Sequence, residues 1–212
     1  MSNNFKETYH IKDTSNLASP SLLVYPAKVK VNLEKIKAQI NIEQLRPHIK
    51  TIKCKELVQL QLDAGITKFK CATLKEVILL LELGAKDVLI AYPLVANQME
   101  QLLYLIKKYP NVKLQGVIDH LPAARLMDNF AKELDIEVPI LIDVNLGMGR
   151  TGVAIHTLAD FHEDLLSFKN LKMVGFHGYD GHIREVNLAS RVEVVERYFQ
   201  QFLQVHKAIE QQ

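Results

Sequence analysis

Arg46-Pro47-His48-Ile49-Lys50-Thr51-Ile52-Lys53-Cys54-Lys55-Glu56 is the stretch that decides the architecture. It joins a strand-like run, residues 48–52, to a helical pattern that starts at Glu56, and it contains no glycine. A sheet built to bind a dinucleotide needs a Gly-x-Gly-x-x-Gly turn straight after its first strand, so that backbone can approach the pyrophosphate. Two folds suit a chain of alternating strands and helices, an open doubly wound sheet and a βα barrel. The missing turn favours the barrel.

Outward from this stretch the alternation continues. Apolar strand-length runs at residues 69–72, 88–92, 114–118, 139–144 and 173–179 are separated by amphipathic segments at 56–64, 74–83, 96–108, 121–133 and 158–167. A last helix is expected over residues 191–210. Ahead of residue 46, Ser21-Leu22-Leu23-Val24-Tyr25 reads as a further strand, and residues 29–40 carry Val31, Ile36 and Ile40 on a helical period. Gly65, Gly84 and Pro110 stand where helices should stop. Strand followed by helix without hairpin signals predicts a parallel sheet covered by helices.

Composition limits what this fold is used for. With 212 residues, 48% of them hydrophobic, the chain can bury a sizeable core as one domain over residues 20–212, behind a polar N-terminal segment, residues 1–19, that includes Asn3, Asn4, Lys6, Glu7 and Lys12. That segment lacks the apolar centre of a signal peptide. No run approaches the roughly 20 apolar residues that cross a bilayer, so a soluble cytoplasmic protein is expected. The 26 basic and 24 acidic residues nearly cancel and form no long basic run, which argues against nucleic acid as a partner. Cys54 and Cys71 are too few for a disulfide framework and are expected to be structural thiols, with a lesser chance for Cys71 to line a pocket.

In a βα barrel the reacting groups project from the carboxyl ends of the strands. Lys50 lies in the first repeat strand, Arg150 just beyond the fifth within Gly147-Met148-Gly149-Arg150-Thr151-Gly152, and Tyr179 at the tip of the sixth. All three are expected to face one mouth. His48 alternates with Lys50 and so shares its side, where cofactor contact and plain packing both suit it. A backbone-fixed lysine facing a glycine-flanked arginine suits an aldehyde cofactor held as a Schiff base, which points to pyridoxal phosphate (PLP).

Each residue has a plainer reading too. Lys50 is an ordinary surface lysine unless its motif counts, and Lys53 is its rival in the same segment. Arg150 could cap a loop carboxylate, and Tyr179 could be a core aromatic. His177 and His182 bracket a turn, without the one-face geometry that two histidines gain on a helix, so no metal is expected there.

Four motifs, in order and at matching spacing, carry a resemblance: Arg46-Pro47-His48-Ile49-Lys50-Thr51, Cys71-Ala72-Thr73-Leu74-Lys75-Glu76, Gly147-Met148-Gly149-Arg150-Thr151-Gly152 and Gly178-Tyr179-Asp180-Gly181-His182. The chain resembles the fold-type III PLP enzymes with an alanine racemase N-terminal-like barrel, most closely the D-threonine aldolase and D-serine dehydratase branch. The resemblance implies an α/β fold, a PLP-binding (β/α)8 TIM-type barrel. It also implies Lys50 as the Schiff-base lysine, Arg150 on the phenolate oxygen of the ring and Tyr179 as an inward tyrosine, with Arg46 and His48 completing the first motif. Where the family often has a second histidine in that motif, this chain has Ile52.

The implied reaction is retro-aldol cleavage of a D-β-hydroxy amino acid to glycine and an aldehyde. Dehydration of D-serine and amino-acid racemisation are the alternatives within the fold. Only about six βα repeats are expected here, without the phosphate-gripping loop after a seventh strand and without the C-terminal β domain. In the family that domain brings a divalent metal, manganese or zinc, which is therefore expected only in a longer protein. The chain is accordingly expected to be a shortened form, inactive alone or a non-catalytic PLP-binding protein. A homodimer is expected only if the barrel closes.

Overall fold

The computed structural model describes Tyr9 and residues 11–211. Asn3, Asn4, Lys6 and Glu7 of the expected polar segment lie outside the described residues. By internal contact the chain divides into Met1–Gln39 and Ile40–Gln212.

In the first unit, helix α1 runs over Pro26–Lys37 and buries none of its residues. Pro26 opens it, where the missing N–H costs nothing. The Tyr25 hydroxyl donates to the Tyr9 carbonyl at 2.9 Å, and the two rings meet edge to face. The strand expected at residues 21–25 does not form. A strand exists only with a hydrogen-bonded neighbour, and among the described residues this segment has none; it is confined between Pro20 and the helix start at Pro26.

The second unit is a parallel sheet with helices. Its strands are β1 (Lys68–Cys71), β2 (Asp87–Ile90), β3 (Lys113–Ile118), β4 (Val138–Asn145), β5 (Val153–Ala154) and β6 (Leu171–Gly178). Its helices are α2 (Lys55–Asp63), α3 (Leu74–Glu82), α4 (Ala96–Lys108), α5 (Leu121–Leu134), α6 (Leu158–Leu165) and α7 (Leu188–Glu210). Neighbours run β1-β2-β3-β4-β6, all parallel, and the two-residue β5 pairs with the end of β4. This is the α/β barrel arrangement expected, in partial form. β1 and β6 each keep an edge unpaired by another strand among the described residues.

The repeats follow their sequence closely. In α3 the Thr73 hydroxyl accepts from the Glu76 N–H at 3.3 Å, the Glu76 carboxylate accepts from the Ala72 N–H at 2.8 Å, and Val77, Leu80 and Leu81 are buried. In β1 the alternation of burial turns Phe69 and Cys71 to one side and Lys68 and Lys70 to the other. Phe69, Val88, Ile90, Leu114, Ile140 and Ile142 form the apolar layer beneath the helices.

The strand expected at residues 48–52 is the main correction. Only His48 pairs, by one parallel bridge to Lys70, and the chain then coils into a 3-10 turn over Ile49–Thr51. The turn forms because the His48 ring accepts the Lys50 N–H at 3.2 Å, capping it locally. The segment is still tied to the sheet edge, since the Lys70 N–H donates to the Pro47 carbonyl at 2.8 Å.

Candidate active site

A cleft of about 320 Å³ opens at the carboxyl ends of the strands, lined by His48, Lys50, Lys70, Arg150, His177 and Tyr179, with Ala72, Ala91 and Tyr92. Ala72, Ala91 and Tyr179 directly follow β1, β2 and β6. All four residues singled out from the sequence, Lys50, Arg150, Tyr179 and His48, line it. Lys50 arrives there on a 3-10 turn and not on a strand.

The Tyr179 ring lies between two cations, with Lys50 Nζ 5.9 Å and Arg150 Cζ 5.3 Å from its centroid. Such contacts hold long cationic side chains in place without neutralising them. Among the described residues the lining holds the basic side chains Lys50, Lys70 and Arg150 and no carboxylate. Such a lining suits an anion.

Arg150 is positioned by the glycine-rich turn after β4. The Asn145 side chain accepts from the Gly147 and Gly149 N–H groups, each at 3.0 Å, and Asp119 accepts from the Gly152 N–H at 2.8 Å. Gly152 has φ +99°, and a Cβ there would fall 2.5 Å from the Asn145 nitrogen. Only glycine passes this point.

Asp143 is buried and accepts from the Thr151 hydroxyl at 2.8 Å; its other oxygen lies 2.6 Å from His177 Nδ1. Because a carboxylate only accepts, Nδ1 donates to Asp143. Lys70 Nζ lies 3.4 Å from the other ring nitrogen, Nε2. Burial pushes the Lys70 amine below the usual lysine range, and the charges of Lys50 and Arg46 add to it, while Asp143 and Asp180 pull the other way. His48 is pushed down to about 4, chiefly by burial and then by Lys50 and Lys70.

Other sequence candidates fall elsewhere. Lys53 leaves the cleft and lies 3.4 Å from the Glu76 carboxylate. Arg46 sits in a lower layer, where its two terminal nitrogens donate to the two Asp87 oxygens at 2.6 and 2.9 Å. Cys71 is buried away from the cleft, and burial pushes its thiol up. His182 stacks edge-on against Tyr198 at 5.5 Å. Reading the sequence alone missed Lys70, Asp143 and Thr151. The lysines alternating with Phe69 and Cys71 were the available signal, since a lysine on the inner face of a parallel strand is costly unless used.

Residues 24–212 match the alanine racemase N-terminal domain family. The chain belongs to that family. Among its relatives, the D-threo-3-hydroxyaspartate dehydratase of Delftia sp. (strain HT23) is 25% identical over 139 residues, covering 65% of this chain and 36% of that protein. The D-threonine aldolase of Arthrobacter sp. is 25% identical over 172 residues, 78% of this chain and 45% of that protein. The crystal structure of D-threonine aldolase from Filomicrobium marinum superposes with a TM-score of 0.81 at 20% identity, over 92% of this chain and 53% of that one. This alanine racemase N-terminal domain thus spans about half the length, or less, of the relatives it matches. The last likeness establishes the barrel fold.

Proposed function

We propose that this domain holds pyridoxal phosphate and forms the cofactor-binding half of a lyase acting on D-β-hydroxy amino acids, with retro-aldol cleavage of the D-threonine aldolase kind as its reaction. The observation that carries this reading is the pair Lys50 and Arg150, on either side of the Tyr179 ring in a cleft lined by cations and by no carboxylate.

The residues present fit the aldehyde and the ring oxygen of the cofactor. Lys50 Nζ would hold its aldehyde carbon, and the planar fork of Arg150 suits an anionic ring oxygen. When bound, pyridoxal phosphate supplies an electron sink for the charge left when a bond at the substrate α-carbon breaks. His48, neutral down to about pH 4, keeps its Nδ1 free to accept the Lys50 N–H and so holds the turn that aims the amine. Thr151 and Asp143 fix the His177 ring. Lys50 Nζ, where it is not joined to that carbon, would be placed to move a proton as a general base.

Dehydration is the second reading, supported by the relative that is a D-threo-3-hydroxyaspartate dehydratase at the same 25% identity. Mixing the protein with pyridoxal phosphate, reducing with borohydride and mapping modified lysines by peptide mass tests the cofactor reading. Label on Lys50 that vanishes in Lys50→Ala supports it; scattered label or none rejects it. Assaying glycine from D-threonine against pyruvate from D-serine then separates cleavage from dehydration.

A further inference from the structure

Lys50, Arg150 and Tyr179 draw on three of the four sequence motifs and leave Cys71-Ala72-Thr73-Leu74-Lys75-Glu76 without a part in the chemistry of the cleft. The last residue of that motif is a buried carboxylate. Its Oε2 accepts from the Ala72 N–H at 2.8 Å, and its Oε1 lies 3.4 Å from Lys53 Nζ. Ala72 belongs to the wall of the cleft, and Lys53 ends the turn that carries Lys50. Glu76 therefore ties the wall to the turn that supplies the amine.

Lys53 is held in an uncommon backbone conformation. The Ile52 and Lys53 N–H groups both donate to the Ile49 carbonyl, at 3.0 and 2.9 Å, and Lys53 has φ +40°. A helical turn that closes in this way usually ends on glycine, because a Cβ is strained there. Glycine would close the turn without strain, but it would have no side chain to reach Glu76. Strain of this kind persists only where the surroundings impose it, and it gathers at sites that do work.

We propose that Glu76 and Lys53 are positioning residues for Lys50: their ion pair pins the left-handed end of the turn to the start of α3 and so fixes where the Lys50 amine stands in the cleft. The proposal rests on the reading that Lys50 holds the cofactor's aldehyde carbon. A three-residue 3-10 turn has few hydrogen bonds of its own, so its place depends on what holds its two ends. At the start, the His48 ring accepts the Lys50 N–H and the Lys70 N–H donates to the Pro47 carbonyl. At the end, the Lys53–Glu76 pair does the holding. A pair between two exposed side chains would hold little. Here Lys53 is open to solvent, but the Glu76 side chain is 4% exposed, and Lys53 is its one ion-pair partner among the described residues. A carboxylate so poorly hydrated keeps its cation more firmly than a surface one does. Glu76 also lies close enough to His48 to act on its charge, although burial, Lys50 and Lys70 outweigh it there.

The test sets the speed of capture at Lys50 against the stability of the protein. The parent, Lys53→Gly, Lys53→Arg and Glu76→Gln are mixed with pyridoxal phosphate and quenched with borohydride at set times, and label on Lys50 is read by peptide mass. Lys53→Gly is expected to melt no lower than the parent, since glycine relieves the strain at φ +40°. It should nevertheless capture cofactor on Lys50 about tenfold more slowly, because the amine is no longer aimed. Glu76→Gln should be slowed in the same way, and Lys53→Arg, which keeps the cation, should capture at close to the parent's rate. A pair that only stabilises the fold would lower the melting temperature and the capture rate together. That result overturns the proposal, as does capture by Lys53→Gly at the parent's rate, or a Lys53→Arg as slow as Lys53→Gly. Should the parent take no label on Lys50, the cofactor reading fails by itself, and amide hydrogen exchange decides whether the turn is pinned. The Lys50 and Ile52 amides should then exchange about tenfold faster in Lys53→Gly than in the parent, a local opening without global loss, and equal protection overturns the proposal.

Discussion

Arg46 and Lys50 stand in one short motif, yet they meet opposite surroundings. Arg46 reaches into the lower layer of the sheet interior, where Asp87 takes both of its terminal nitrogens and Gln115 adds a donor to the same carboxylate at 3.0 Å. Lys50 reaches the mouth, where an aromatic ring stands 5.9 Å away and no carboxylate lines the walls. The first cation is closed off by a matched partner. The second has no carboxylate partner among the described residues. In barrels of this kind the lower end holds the fold and the upper end does the chemistry, and here one six-residue motif reaches both ends.

Substituting Asp87 should break the lower layer hardest. Asp87→Asn removes the charge that matches Arg46 and turns one acceptor oxygen into a donor facing a donor. With both side chains mostly shielded, 25% and 12% exposed, breaking such a pair costs about 3 kcal/mol or more. Urea unfolding followed by circular dichroism would show it as a lowered midpoint. A variant as stable as the parent would mean that the lower layer is not what holds this end together.

The glycine-rich turn belongs to the mouth but is built with the rigidity of the lower layer. Gly152→Ala should cost about 2 kcal/mol, because a side chain at φ +99° is strained and its Cβ meets the backbone of Val144 and Asn145, which cannot swing aside. Gly147 is a softer position, since a Cβ there meets the ring of Tyr198, a side chain able to move. Thermal melts of the two alanine variants should therefore rank Gly152→Ala as the more damaging, and the reverse order would show that the turn is not pinned where Asn145 and Asp119 hold it.

The same division marks what could be read from the sequence. The repeats were legible because burial imposes its period on them: α4 was expected at residues 96–108 and spans Ala96–Lys108. The run at residues 48–52 imitated a strand, since Ile49 is buried and polar residues flank it, but a single side-chain acceptor on His48 turned it into a 3-10 coil. The run at residues 21–25 has strand composition and no paired neighbour among the described residues, and pairing is not written in a segment's own residues. Lys50, His48, Arg150 and Tyr179 could be placed because strand ends converge in a barrel. Lys70, His177, Asp143 and Thr151 come from β1, β6, β4 and a loop, and their row exists only once the register between strands is set.

A milder probe of the mouth is its response to acid. His48 has a folded value of about 4 against about 6.5 for an unhindered histidine, so between these values the unfolded chain binds a proton that the folded one refuses. Stability should therefore fall as pH drops from about 6.5 to 4 and be unaffected by this group above that window. His48 is only partly buried, and solvent screening reduces the effect to about 1 kcal/mol. Comparing melts at the two ends of the window for the parent and His48→Asn isolates it: the substitution should remove part of the acid slope, and an unchanged slope would assign the loss to other groups.

The smallest expected effect is the most informative about the comparison. Lys50→Met removes a cation from a wall that already holds Lys70 and Arg150 and breaks no ion pair among the described residues. Stability should stay within about 0.5 kcal/mol of the parent, while all capture of pyridoxal phosphate at this position disappears. Asp87→Asn should do the reverse under conditions where it is still folded, losing stability and keeping the trapped lysine. If Lys50→Met proved as destabilising as Asp87→Asn, Lys50 would be a structural cation like Arg46, and the contrast between the two ends of the motif would fail.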